Sequence, residues 1–339
     1  MRAAMYYSNR DLRIVEMPMP EIGEGEALLR VEACGICGSD VMEWYRRKSA
    51  PRVLGHEAVG EIVSVGKDAG CSVGDRVFVS HHVPCGTCRY CLRGHETSCA
   101  LLRKTNLDPG GFAEYARIPE ENVRLGIYPL PDELSYLEGT FIEPLGCVLR
   151  GLRLARFAAG DSALVLGSGI SGVLMIRAMA ALGAGCILAT DISPYRLEWA
   201  RRAGAHTVHG GEDPAPMLRR ISDGRLAEIV VLCTGALSAA EQALRCVDRG
   251  GTILFFAPPP PGHAVPLPVN EFWRNEITVT TSYGAAPRDL KEALELLRSG
   301  RIKVRDMITH TLPLSGIGEG FRLVAEAGES LKVIVEPGR

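Results

Sequence analysis

Four cysteines fall in one short stretch, Cys85-x2-Cys88-x2-Cys91-x7-Cys99. Four thiolates so close in sequence can close a tetrahedral shell around Zn2+ and leave no position for a substrate. The lobe, residues 84–100, holds Pro84, Gly86 and Gly94 and has no apolar period. It lacks the means to order itself around a hydrophobic core, so bound metal would supply its folding energy. His95 lies in the same loop and reads as exposed, because four thiolates already complete the shell. A second set of reactive side chains is more scattered. Cys37 is followed by Ser39 and Asp40, by His56-Glu57 nineteen residues on, and much later by Glu143. These types ligate metals and move protons, but their spacing alone leaves structural roles open. His81-His82 precedes the cysteine lobe and reads as a surface or loop pair.

A third cluster has a fuller context. Gly167-Ser168-Gly169-Ile170-Ser171-Gly172 fits G-x-G-x-x-G, directly after the apolar run Ala163–Leu166 and at the start of a helix. Asp191 ends the next apolar run, nineteen residues after Gly172. This is the dinucleotide-binding fingerprint. Gly167 permits the tight turn, Gly169 lets the backbone approach a pyrophosphate, and Gly172 lets helix and strand pack closely. Ile170 and Ser171 open the helix, whose unpaired N–H groups and partial positive charge attract phosphates. Asp191 would accept hydrogen bonds from the adenosine ribose and repel a 2′-phosphate, which favours NAD over NADP. Arg196 offers a charge that could pair with such a phosphate; its other reading is a packing or adenine-stacking residue on the following helix.

The elements that must position these groups show in the patterning. Glu26–Glu32, Ala58–Val65, Arg76–Ser80 and Gly111–Ile118 are short β-type runs with Gly and Pro between them. From about residue 145 the texture changes to apolar runs alternating with helices: 163–166, helix 173–182, 186–190, helix 194–203, 228–233, helix 239–247, 252–257. That alternation predicts a parallel sheet with crossover helices. A helix over 288–299 and a last alternating strand, 331–335, return the chain to the β-rich part. The predicted organisation is an α/β chain: residues 1–144, then 145–287 as a doubly wound nucleotide-binding domain, then 288–339.

Composition narrows the function. Of 339 residues, 46% are hydrophobic and 23% charged, as in an ordinary globular protein. Lys plus Arg is 38 and Asp plus Glu 40, a net charge of −2 that argues against a nucleic-acid partner. Eleven cysteines, an odd number, argue against a disulfide framework. The N-terminus has no apolar leader run. The most apolar stretch, Ser162–Thr190, is interrupted by Arg177. Its uncharged runs fall short of the roughly 20 residues a spanning helix needs. A cytoplasmic protein that does not enter a membrane is expected.

Together these motifs resemble the zinc-dependent branch of the medium-chain dehydrogenase/reductase family, the alcohol, sorbitol and threonine dehydrogenases. The resemblance covers essentially the whole chain and rests on GICGSD at 35–40, GHE at 55–57, the cysteine lobe, GGFAEY at 110–115, EPL at 143–145, GSGISG at 167–172 and Asp191. It implies a GroES-like, β-rich catalytic domain with a Rossmann domain inserted near the C-terminal end. It further implies two zinc ions, one structural and one catalytic. Cys37 and His56 would ligate the catalytic ion and Glu57 would be the third ligand. Glu143 would bind the metal or hold its water, and Asp40 would orient His56 through its ring N–H. Ser39 stands where the family has a hydroxyl that passes on the alcohol proton. Met42 stands where many members carry a histidine. The implied activity is transfer of a hydride from a small secondary alcohol or polyol to NAD, in a dimer or tetramer. The alternatives are oxidation of an amino alcohol such as L-threonine, or a zinc-stabilised nucleotide sensor that does not turn over.

Overall fold

The computed structural model describes all residues, 1–339. The chain divides into two compact units, Met1–Gly146 with Ala285–Arg339, and Cys147–Gly284. The first part of the chain contributes β1 (Arg2–Ser8), β2 (Asp11–Glu16), β3 (Ala27–Gly35), β4 (Arg52–Val53), β5 (Glu57–Val65), β6 (Arg76–Val79), β7 (Tyr115–Ile118) and β8 (Ile127–Pro129). The second unit holds β9 (Ser162–Leu166), β10 (Cys186–Asp191), β11 (His206–His209), β12 (Ala227–Leu232), β13 (Val247–Phe255) and β14 (Thr278–Thr281). The chain returns to the first unit with β15 (Ile308–Pro313) and β16 (Lys332–Glu336).

The first unit is built from two sheets. One has the order β2-β1-β4; the other runs β15-β16-β3-β5-β6-β8, with β7 also paired to β3. β3 is buried at Ala27–Leu29, Val31 and Ala33–Gly35, that is, along most of its length. Its polar positions turn outward, where Arg30 bridges Glu32 at 2.6 Å and Glu61 at 3.0 Å. The core between the elements gathers Tyr6, Leu29, Ile62, Phe112 and Phe321. Phe321, from the C-terminal helix Ile317–Glu326, packs tilted against Tyr6 at 5.8 Å and edge-on against Phe112 at 5.9 Å. The last strand pairs antiparallel with β3, Val335 opposite Cys34 and Ile334 opposite Gly35.

The second unit is a six-stranded parallel sheet of order β11-β10-β9-β12-β13-β14. That is the strand order of the doubly wound nucleotide-binding fold, with its reversal between β9 and β12. β9 is buried at every position, as a central parallel strand must be.

Several elements differ from the sequence expectation. The run 111–118 pairs as a strand only from Tyr115. The N–H groups of Gly111 and Phe112 instead bond the carbonyls of Gly55 and Leu54, each at 2.9 Å, tying this turn to the one that carries His56. The helix Ile142–Leu154 has no counterpart in the patterning because Pro144, Gly146 and Gly151 read as breaks. Pro144 falls in the first turn, where its missing N–H has no partner to lose. The hairpin β1–β2 and the short polar strands β11 and β14 also carry no strong period. No helix is long and apolar enough to cross a membrane.

Candidate active site

The sulfur atoms of Cys85, Cys88, Cys91 and Cys99 all lie within 4.8 Å of one another. Cys88 and Cys91 sulfurs are 3.5 Å apart and Cys85 and Cys91 sulfurs 4.0 Å, with no disulfide among them. Tetrahedral Zn–S bonds of about 2.3 Å place sulfurs about 3.8 Å apart. The donor set and its spacing therefore fit zinc. Backbone N–H groups support the charged form: Cys88 donates to Cys85 Sγ at 3.3 Å and Cys85 to Cys99 Sγ at 3.4 Å. Cys85 is lowered to about 6, chiefly by the Thr87 N–H. His95 is exposed.

A second group brings together Cys37, His56 and Glu57, whose ligand atoms also lie within 4.8 Å of one another. Thiolate, imidazole and carboxylate are a zinc donor set with room for a fourth ligand. Each donor is held by the fold. Cys37 follows β3 in a turn closed by the Asp40 N–H on its carbonyl at 3.0 Å, and its sulfur accepts the Ser39 N–H at 3.4 Å. His56 Nδ1 lies 3.4 Å from Asp40 Oδ1, which leaves Nε2 as its ligating nitrogen. Asp40 is fully buried. It also accepts the Cys37 N–H at 3.1 Å and lies 3.2 Å from Arg46. Burial alone would raise its pKa, but His56 and Arg46 hold it below the usual carboxylate range.

Glu57 Oε2 accepts from Lys332 Nζ in a buried ion pair joining β5 to β16. Both side chains are 1% exposed. Gly35 makes this contact possible. It sits opposite both Glu57 and Ile334 in the sheet. A Cβ on Gly35 would overlap both the Glu57 carboxylate and the Lys332 ammonium. Lys332 also lies 5.1 Å above the Phe141 ring. Sequence reasoning missed Lys332. The signal available was one lysine inside the otherwise apolar run LKVIV.

Ser39 and Glu143 stand differently. Ser39 Oγ accepts from Arg46 Nη2 at 2.9 Å, and its carbonyl accepts from Arg46 Nε at 3.0 Å. Glu143 is buried in the first turn of its helix and lies outside the three-residue group. His81 lies in a loop, as read, but half-buried rather than on the open surface. Its ring is 5.0 Å from that of His56 and 3.9 Å from that of His82. Its Nδ1 is buried with no partner. Asn122 pins this loop, donating to the carbonyls of Ser80 at 2.8 Å and His81 at 3.0 Å. Burial, then the positive charges of His56, Arg46 and Arg52, push His82 down to about 4.

In the second unit, the helix Ile170–Ala181 begins three residues earlier than its apolar period indicated, with Gly169 as N-cap and no side chain capping it. Its first N–H groups, Ile170 and Ser171 included, thus face the turn with no intrahelical partner. Gly172 packs its Cα against the Gly167 carbonyl, and a Cβ there would overlap that oxygen. Asp191 Oδ2 accepts the Ser168 N–H at 2.8 Å and Oδ1 the Ser193 N–H at 2.9 Å. Each oxygen retains a lone pair. Arg196 lies beside Gly169, with its Nε buried and unpartnered. The uncapped helix end and the Asp191 acceptor fit a dinucleotide.

Residues 23–132 match the alcohol dehydrogenase GroES-like domain and residues 171–299 the zinc-binding dehydrogenase domain. The chain is 31% identical to sorbitol dehydrogenase of Bacillus subtilis over 100% of its own length and 98% of that protein's. It is 33% identical to L-threonine 3-dehydrogenase of Pyrococcus abyssi, over 95% of this chain and 94% of that one. Its structure superposes on the alcohol dehydrogenase TADH of Thermus sp. ATN1 with a TM-score of 0.87, 31% identity and 99% of both chains covered. With both domain models matched and relatives of 31–33% identity covering nearly the whole chain, the chain belongs to the zinc-type, medium-chain alcohol dehydrogenase family.

Proposed function

We propose that this protein oxidises a secondary alcohol or polyol to a ketone, passing the hydride to NAD. The observation that carries the reading is the convergence of Cys37, His56 and Glu57, each donor held by an outer partner. Cys37, His56 and Glu57 would hold a zinc ion, and Glu143, buried in the first turn of its helix, would serve its water. When bound, that ion acts as a Lewis acid on the alcohol oxygen and lowers its pKa. Cys85, Cys88, Cys91 and Cys99 would hold a second, structural ion. Free thiols in that number suit a reducing compartment such as the cytoplasm.

The chain's own residues do the rest. Asp40 fixes the His56 ring and keeps Nε2 aimed at the donor group. Lys332 fixes Glu57 Oε2 and leaves Oε1 as the available oxygen. Arg46 occupies one lone pair of Ser39 Oγ. The hydroxyl keeps a second lone pair and its hydrogen, enough to accept the proton of a substrate hydroxyl and release its own. The uncapped helix at Ile170 would receive the pyrophosphate and Asp191 the adenosine ribose, which supports NAD rather than NADP. Leu267, Val269 and Trp273 are exposed close in sequence to the sheet-edge strand β14, which supports a dimer or tetramer.

The test is NADH formation by zinc-loaded protein across polyols, inositols, threonine and short secondary alcohols, with NADP in parallel. Turnover with NAD and one alcohol class supports the reading. Two zinc ions and NAD bound, with no alcohol oxidised, would sink it.

A further inference from the structure

The turn that carries Cys37, Ser39 and Asp40 is gripped by one side chain from the element after it. Arg46 ends the short helix Glu43–Arg46 and folds back onto Ser39, seven residues earlier. Its Nε donates to the Ser39 carbonyl at 3.0 Å and its Nη2 to the Ser39 hydroxyl at 2.9 Å. The same Nη2 lies 3.2 Å from Asp40 Oδ1. The base of the arginine is itself fixed. Its backbone N–H bonds the Met42 carbonyl at 3.0 Å. Asn9, in the turn after β1, donates to the Val41 carbonyl at 2.7 Å and to Glu43 Oε1 at 3.2 Å. The guanidinium lies 4.8 Å from the Tyr45 ring, and the side chain is 17% exposed.

A guanidinium has donors and no acceptor. Ser39 Oγ can therefore only accept from Arg46, and its own hydrogen must point elsewhere. The planar fork adds geometry. With one branch on the carbonyl and another on the hydroxyl of the same residue, the serine side chain cannot turn without breaking a charge-assisted bond. Closing the turn would take the carbonyl branch alone. The second branch acts on a hydroxyl that a half-buried serine would otherwise lend to water or to nearby backbone groups. Arg46 cannot take a proton from it, because the guanidinium is already fully protonated. What it supplies is orientation.

We infer that Arg46 is a positioning residue for the reaction, holding the Ser39 hydroxyl in one rotamer with its hydrogen free for the proton relay. This rests on the dehydrogenase reading above and on Ser39 as the group that passes on the alcohol proton. The side-chain torsion of serine and the torsion of its hydroxyl each have three staggered wells, so releasing both dilutes the held arrangement roughly tenfold.

The test uses zinc-loaded, full-length protein in two arms. Arg46→Met keeps most of the stem and removes every donor, whereas Arg46→Lys keeps the charge without the fork. In the first arm, crystal structures of wild type and Arg46→Met with NADH are compared at Ser39. A single Ser39 rotamer in wild type that spreads over more than one in Arg46→Met is expected. The same single rotamer in both overturns the inference. In the second arm, kcat and KM are measured for the alcohol of the panel above that wild type oxidises fastest. Arg46→Met should lower kcat about tenfold and change KM less than about twofold, with Arg46→Lys in between. In a Ser39→Ala background the same substitution should cost less than about twofold, because no hydroxyl is left to hold. An equal loss in both backgrounds overturns the inference. So does loss of zinc from the Cys37–His56–Glu57 group of Arg46→Met by elemental analysis, which would put Arg46 in the service of Asp40 and His56 instead. Full activity of Ser39→Ala removes the relay and the inference with it, and leaves a dehydrogenase. No alcohol oxidised by wild type counts against the dehydrogenase reading, and the crystallographic arm then decides on Arg46 alone.

Discussion

Replacing Lys332 with Met tests the buried pair that holds Glu57. Met has nearly the reach and volume of Lys, so packing against Phe141 is kept while the charge goes. Both partners are 1% exposed, so water cannot take over the carboxylate in the folded state. Removing one member of such a pair leaves an uncompensated buried charge and costs about 3–5 kcal/mol. Replacing both members is far less costly, because no lone charge remains. Lys332→Met should therefore lose about 3–5 kcal/mol in zinc-free protein. Adding Glu57→Gln to it should restore stability rather than lower it further. Zinc loading should shrink the deficit of the single variant, since the metal's charge then faces the same carboxylate. The assay is urea unfolding followed by Trp44, which lies in the first unit, in a Trp199→Phe/Trp273→Phe background that silences the second. A loss below about 1 kcal/mol, the value of an exposed pair, would refute the reasoning. So would a double variant less stable than the single one.

Other perturbations bear on the remaining groups. Ser39→Ala should lower turnover about a hundredfold while both zinc ions remain by elemental analysis, the usual size of a lost proton-transfer group; full activity would remove Ser39 from the reaction. Asp191→Ala should weaken NADH binding, measured by fluorescence, about tenfold to a hundredfold and narrow the gap to NADPH. Gly172→Ala should destabilise the second unit by about 1–3 kcal/mol, read by thermal unfolding, because the added methyl would overlap the Gly167 carbonyl, a backbone group that cannot swing aside. Chelation should open the cysteine lobe to trypsin at the exposed Arg89 and Arg93, with the second unit's own resistance unchanged; a lobe that stays resistant would mean its order does not depend on metal.

The amino-acid sequence by itself determined what is local. The cysteine lobe closes within fifteen residues, and the glycine turn is a single strand-to-helix junction, so their chemistry is written in adjacent letters. Alternation of apolar runs and helices foretold the parallel sheet, since central parallel strands are buried on both faces. Elements whose signal is weak went unread: the polar edge strands β11 and β14, and a helix carrying Pro144 in its first turn. What only the tertiary structure decided are the pairings between distant residues. Glu57 meets Lys332 across 275 positions because Gly35, on the strand between them, has no side chain to keep them apart. His81 reaches His56 because Asn122 pins its loop from another element. Arg46 finds three acceptors in Ser39 and Asp40. A residue's type fixes which bonds it can make; which it does make depends on burial and on partners that the chain brings from far away, and neither is periodic in sequence.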